Sequence, residues 1–291
     1  MTRYHHFLKL LVITGFIIGG LIATAAVSGI FLLASGISYQ EIAEMSVTGM
    51  DKLSAGMTRA LLTIQHVCVF IIPCLVFGLI VYKSSIWKGL DMHRFPSLGL
   101  AGLGIVFLLC AYPIVNLSFL LNEAIPLPAW TRDFENQAED TLKAVLEMNT
   151  PLIFLINLLV IAILPGIGEE LLFRGLIQKH IAGWLNSPIA GIWISAFIFS
   201  SIHMQFEGFF PRLALGAILG YLYYWTKNLW VPIIAHAFNN GIQVALIYSM
   251  GMDLEAFEEK GSDQLEWWMI PLSIGAMYFI YRLIIKNKPA N

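Results

Sequence analysis

Two adjacent carboxylates, Glu169 and Glu170, follow the apolar run Ile161-Ala-Ile-Leu-Pro-Gly-Ile-Gly168, and Arg174 comes four residues after Glu170. On a helix, Glu170 and Arg174 share a face and can pair. Glu169 points about 100° further round and cannot share that contact fully. Charges inside an apolar stretch cost on the order of 2.5–3.5 kcal/mol each at mid-membrane, so they normally face a polar interior and mark a working site. Two later runs carry matching pairs at i, i+4 spacing: Phe199 with His203, and His236 with Asn240. A carboxylate beside an imidazole can take a proton from water. An imidazole and an amide can donate hydrogen bonds to a developing oxyanion. Two histidines and a glutamate, here Glu169, His203 and His236, could instead hold a divalent metal such as zinc with a fourth position open for water. Both arrangements suit amide hydrolysis. Neither a Gly-x-Ser-x-Gly nor a His-Glu-x-x-His pattern is present, so spacing supports neither a serine nor a standard zincin mechanism.

Each residue also has a plainer reading. Glu170 with Arg174 could be an ion pair that fixes a helix end. His203 taken alone reads as an interfacial histidine. His236 and Asn240 could form a polar contact between helices, since such groups bond across helices in lipid. Glu169 has no local partner and is the hardest to explain structurally. The other histidines (His5, His6, His66, His93 and His180) read as structural or solvated.

The elements that must carry these groups are membrane helices. The chain is 58% hydrophobic and 12% charged, with mean hydropathy +0.74, against about 45–50% apolar and 25% charged for soluble domains. An all-α, polytopic helix bundle is expected, with a catalytic cavity inside it and one membrane domain over 1–291. About eight runs approach the ~20 residues that a span needs: roughly 10–34, 60–82, 98–121, 152–172, 187–204, 212–226, 230–250 and 267–285. The first follows Arg3 and Lys9 and is too long for the apolar segment of a signal peptide, about 7–15 residues, so it reads as retained. Gly15 and Gly19 form a small-xxx-small pattern that permits close helix approach. Cys68, Cys74 and Cys110 lie in apolar runs without CxxC spacing and read as packing residues. No basic tract suggests nucleic acid.

Loop charge sets the orientation. Lys83, Lys88 and Arg94, then Arg174 and Lys179, then Lys227, then Arg282, Lys286 and Lys288 fall on alternate connections and termini. Basic loops stay cytoplasmic, so both termini are expected inside a cell inner membrane, with the acidic stretches 122–149 and 251–266 outside. Residues 132–149 place Phe134, Ala138, Leu142, Val145 and Leu146 near one helical face, which fits either an amphipathic helix on the outer membrane surface or a helical soluble loop. Glu169 and His236 fall near inner span ends, whereas His203 lies ~16 residues along its span, ~24 Å if helical. Bringing them together requires a long tilted fourth span running through Pro165, or a fifth span that starts outside the hydrocarbon.

Glu169-Glu170-Leu-Leu-Phe-Arg174, Phe199-Ser-Ser-Ile-His203 and His236-Ala-Phe-Asn-Asn240 match E-E-x-x-x-R, F-x-x-x-H and H-x-x-x-N motifs. In this order on successive spans they resemble the CAAX-protease and bacteriocin-processing (CPBP, or Abi) family of intramembrane endopeptidases, over a core of about residues 150–250. The resemblance implies that Glu169 activates the attacking water with help from His203. It implies that His236 and Asn240 stabilise the oxyanion, and that Glu170 and Arg174, with Phe199, hold the geometry. It leaves open whether no cofactor is required or a divalent metal takes part. It implies membrane lipid and a peptide or lipidated protein substrate as partners. Two other readings compete: a non-catalytic scaffold or bacteriocin-immunity protein of the same fold, and a transporter using an ionisable relay. The absence of broken spans in corresponding places of two halves counts against the transporter. The endopeptidase reading expects Glu169, His203, His236 and Asn240 to line one cavity open toward the cytoplasmic side.

Overall fold

The computed structural model describes residues 2–48, 53–251 and 265–288, which contain helices and no strand. Six helices are long and apolar enough to cross a membrane: α1 (Arg3–Ala34), α3 (Ala55–Val81), α4 (Leu98–Glu123), α6 (Pro151–Leu185), α9 (Trp230–Met250) and α10 (Met269–Asn287). The shorter helices are α2 (Tyr39–Thr48), α5 (Arg132–Leu146), α7 (Pro188–Ser201) and α8 (Phe209–Thr226). The protein is therefore an all-α membrane bundle. The expected fifth and sixth spans correspond to α7 and α8, which fall short of the other six in length or apolarity. α7 has 14 residues, about 21 Å at 1.5 Å per residue. α8 has 18 residues, carries Arg212 in its first turn, and buries Gly216 through Gly220 with Leu222 and Tyr223. It packs inside protein, where lipid does not dictate composition. Gly216 and Gly220 let α7 approach closely, because a Cβ on either would meet Ala196 and Phe199, or Ile192 and Gln178, within 3.2 Å.

Two apolar cores hold the bundle. One gathers Phe70, Cys74, Phe77, Leu171, Phe173 and Leu176 where α3 meets α6. The other gathers Leu100, Phe107, Leu222, Val231 and Ile284 from α4, α8, α9 and α10. The glycine contact in α1 falls at Gly20, whose Cβ would collide with the Cys68 carbonyl; Gly15 and Gly19 face open space.

α6 runs unbroken through Pro165, as the long-span alternative requires. It has 35 residues, and two of its stretches, Leu158–Ile163 and Leu171–Gln178, are π-helical. Glu169 and Glu170 lie between them. A third π-helical stretch, His66–Ile71, interrupts α3 where it passes this point. Single π turns inside α-helices recur at functional sites.

Residues 132–149 form α5 up to Leu146, and its C-terminal end is clamped from below. Buried Arg59 donates through Nε to Asn157 Oδ1 at 2.7 Å and through Nη2 to the Val145 and Glu147 carbonyls at 2.7 and 2.9 Å. Asn157 Nδ2 also donates to the Val145 carbonyl, at 2.6 Å. A guanidinium at the negative end of a helix satisfies carbonyls that have no partner within the helix.

Gly166 sets the distance between α6 and α9. A Cβ there would sit 2.9 Å from the Ala237 Cβ and 3.0 Å from its backbone nitrogen. Gly166→Val should push α9 away from α6, lower stability by about 1–3 kcal/mol, and separate His236 from the carboxylates. Equal thermal stability of the variant and the parent in detergent would refute this packing argument.

Candidate active site

Glu170 is fully buried and Arg174 is 1% exposed. Arg174 Nη1 donates to Glu170 Oε1 at 2.7 Å, the i, i+4 contact expected from spacing. Arg174 Nη2 donates to the Gly216 carbonyl at 2.8 Å, and the guanidinium lies over the Phe199 ring at 5.1 Å. Phe199 also meets His203 edge-on at 5.0 Å and His236 at 6.3 Å between centroids. One aromatic ring thus packs against the Arg174 guanidinium and both histidines.

His236 bridges the two carboxylates. Its Nδ1 donates to Glu170 Oε1 at 2.8 Å, and its Nε2 lies 3.8 Å from Glu169 Oε2. The first contact was not legible in the sequence, because it depends on the tertiary packing of α9 against α6, closest at Gly166. His203 lies just past the end of α7, and its Nδ1 donates to the Phe199 carbonyl at 2.8 Å. A carbonyl only accepts, so Nδ1 carries the proton and Nε2 is left for other work. The turn that follows His203 is held by α5 and α4. The amides of Phe206 and Glu207 donate to the Glu135 carboxylate, and Asn122 bonds both the Phe206 carbonyl and the Phe210 amide.

Asn240 donates through Nδ2 to the Ile161 carbonyl at 3.1 Å. Four residues after Ile161 stands Pro165, which has no N–H to close that α-helical turn. Asn240 Oδ1 accepts from Asn239 Nδ2 at 3.1 Å, and Asn239 Oδ1 accepts from Tyr112 at 2.9 Å. This chain orients the Asn240 amide and leaves one of its two N–H bonds uncommitted to the protein.

Glu169, Phe199, His203, His236, Asn239 and Asn240 share the lining of a cavity of about 500 Å³. Its lining extends to one end of the bundle. The remaining wall includes Leu62 and Gln65 of α3 and Ala138, Thr141, Leu142 and Val145 of α5. The cavity therefore reaches toward the bundle end capped by α5, in the acidic segment 122–149, and the basic loops contribute nothing to its lining among the described residues. The apolar face of α5 covers this cavity, an arrangement that neither sequence reading of 132–149 anticipated.

His66 was read as structural or solvated, and the structure corrects this. Its Nε2 lies 3.5 Å from Glu169 Oε1, and the side chain lines the cavity. The available signal was its place inside an apolar span, the same cost argument that singled out Glu169. His180, by contrast, is buried away from the cavity, with Nδ1 3.0 Å from His6 Nδ1 and Nε2 3.4 Å from the Tyr82 hydroxyl. Among the described residues no group of three or more His, Cys, Asp or Glu is arranged to hold a metal ion. Glu169, His203 and His236 thus share a cavity without forming a ligand set.

Residues 151–242 match the family model described as Type II CAAX prenyl endopeptidase Rce1-like. This segment is similar to that family. It contains Glu169, Glu170, Arg174, Phe199, His203, His236 and Asn240, so the CAAX-protease resemblance of the three motifs is borne out over it. The chain is also 33% identical over 84 residues to "Uncharacterized protein YpbD" of Bacillus subtilis (strain 168), a match covering 28% of this chain and 40% of that protein. It is 27% identical over 175 residues to "Putative membrane peptidase YdiL" of the same organism, covering 60% of this chain and 68% of that protein. No solved structure matches. His66 lies outside the Rce1-like segment.

Proposed function

We propose that the chain is an intramembrane endopeptidase that hydrolyses a peptide bond of a membrane-associated or lipidated substrate. The observation that carries this reading is Glu169. It is a carboxylate on a cavity wall with imidazoles on two sides, beside a second carboxylate that Arg174 and His236 already occupy. Glu169 takes a proton from water as the water oxygen attacks the scissile carbonyl carbon. The uncommitted Asn240 N–H and, in the imidazolium form of His236, its Nε2–H donate hydrogen bonds to the oxygen that gains charge. The C–N bond breaks, and the proton held by Glu169 passes to the leaving nitrogen, with the free Nε2 of His203 as its carrier. Water is consumed, and a carboxylic acid and an amine are released. Glu170 and Arg174 keep the geometry and exchange no protons.

The test is cleavage by the purified protein in lipid nanodiscs of membrane-anchored peptides bearing a quenched fluorophore, with the cut site read by mass spectrometry. Failure to cut any anchored peptide, with the protein folded, would favour a non-catalytic scaffold or immunity protein of the same fold.

Basic loops favour the cytoplasmic side; with both termini there, the α5 end of the cavity faces outward from an inner membrane. In a background lacking Cys68, Cys74 and Cys110, a cysteine at Asp140 should label in intact cells, and one at Lys88 only after permeabilisation. The reverse pattern would invert the orientation. Ser262, in the second acidic stretch, lies outside the described residues.

A further inference from the structure

We propose that His66 is the positioning residue for Glu169: it holds Oε1 so that Oε2 faces the water and the other two imidazoles. The inference rests on the endopeptidase reading for its catalytic consequence. Its geometric basis is separate. His66 Nδ1 lies 2.9 Å from the Leu62 carbonyl. That oxygen accepts only, so Nδ1–H donates and the ring is pinned with Nε2 directed at Glu169 Oε1, 3.5 Å away. One proton between Nε2 and Oε1 makes the contact attractive whichever atom carries it. The backbone is built around the pair. The π-helical stretch of α3 begins at His66, and the Phe70 ring lies 5.5 Å from the imidazole. Gly168, next to Glu169, admits α3 closely enough that a Cβ would stand 3.0 Å from Phe70 Cβ and 3.8 Å from the His66 carbonyl. The His66 side chain is 14% exposed and that of Glu169 8%, so both are largely withdrawn from bulk water. Oε2 then meets His236 Nε2 at 3.8 Å on the other side. A carboxylate gripped at one oxygen offers the other in a fixed direction, which is what a general base needs before the water arrives.

Two amides separate this role from packing. Asparagine reproduces the position of Nδ1 and can still bond Leu62, whereas glutamine reproduces the position of Nε2 and can reach Glu169. His66→Leu and His66→Asn should lower kcat by about 30-fold or more, with KM changed less than about threefold, because only the orientation of the base is lost. His66→Gln should recover at least about tenfold over His66→Leu. Equal activity of the Asn and Gln variants, or a Leu variant within about threefold of the parent, would overturn the proposal. A second measurement needs no substrate. Thermal midpoints of His66→Leu, Glu169→Gln and the double variant should be non-additive, as expected for residues in contact. Additive shifts would overturn the contact even if the enzyme is active. If the parent cleaves no peptide but the shifts are non-additive, the endopeptidase reading falls and the His66–Glu169 contact stands.

Discussion

Glu169→Ala is expected to abolish measurable cleavage, a loss of at least about 10²–10⁴ in kcat, while the protein still folds and its thermal midpoint stays close to the parent's. The lower bound is the ordinary contribution of one positioned general base. The stability half of the expectation follows from what Glu169 touches. Its neighbours are His66 and His236, each with a second partner of its own in Leu62 and Glu170. Removing Glu169 leaves neither imidazole stranded, and the side chain borders a cavity that water can enter. Single-turnover cleavage and a melting curve on the same preparation decide the matter. Full turnover by Glu169→Ala would remove it from the mechanism.

Glu170→Ala should do the opposite first: it should unfold the protein more easily. Arg174 is 1% exposed and would keep only the Gly216 carbonyl and the Phe199 face. Breaking a buried pair by deleting one partner typically costs about 3–5 kcal/mol, because the remaining charge is uncompensated. The loss here also strips the Nδ1 acceptor from His236, so activity falls through the ring's lost orientation. Glu170→Gln keeps an acceptor oxygen for Arg174 and should lie between parent and alanine variant in denaturant or thermal unfolding. Glu170 Oε2 is buried with no hydrogen-bond partner, so the glutamine NH2 replaces it without breaking a hydrogen bond but gains no acceptor, which keeps the variant below the parent. If Glu170→Ala lost turnover with unchanged stability while Glu169→Ala kept it, the two glutamates would exchange roles.

Local order was legible in the sequence and long-range order was not. Glu170–Arg174 and His236–Asn240 are i, i+4 pairs within α6 and α9 and share a face by helix geometry, and Phe199–His203 keeps its contact although His203 lies just past the end of α7. Pro165 has no N–H to offer the Ile161 carbonyl, but nothing local says that Asn240 bonds it. The contact between His236 and Glu170 depends on Gly166 meeting Ala237, two glycine-and-alanine positions with no chemistry of their own. His66 escaped because it lies about a hundred residues before Glu169 with no patterned neighbour, and its role exists only where α3 crosses α6. The eight-span drawing took α7 and α8 from hydropathy, which cannot tell a short helix packed in protein from one that spans lipid. The cavity was expected toward the basic loops because Glu169 and His236 lie near inner span ends. The covering face of α5 makes the end away from the basic loops the lined one.

The π-helical stretches carry a consequence for how this chain tolerates changes of length. A π turn is in effect one residue more than an α-helix needs; in α6 it is visible where the Leu164 amide reaches back five residues to the Leu159 carbonyl. Deleting one residue between 158 and 163 would heal that turn and rotate everything before it by about 100° against Glu169. Asn157, which helps clamp α5, and Glu169, which faces the cavity, therefore sit on opposite sides of an index mark. The helix is geared rather than rigid: a single insertion or deletion at this mark re-aims the roof of the cavity relative to its carboxylate without lengthening a loop or breaking a span.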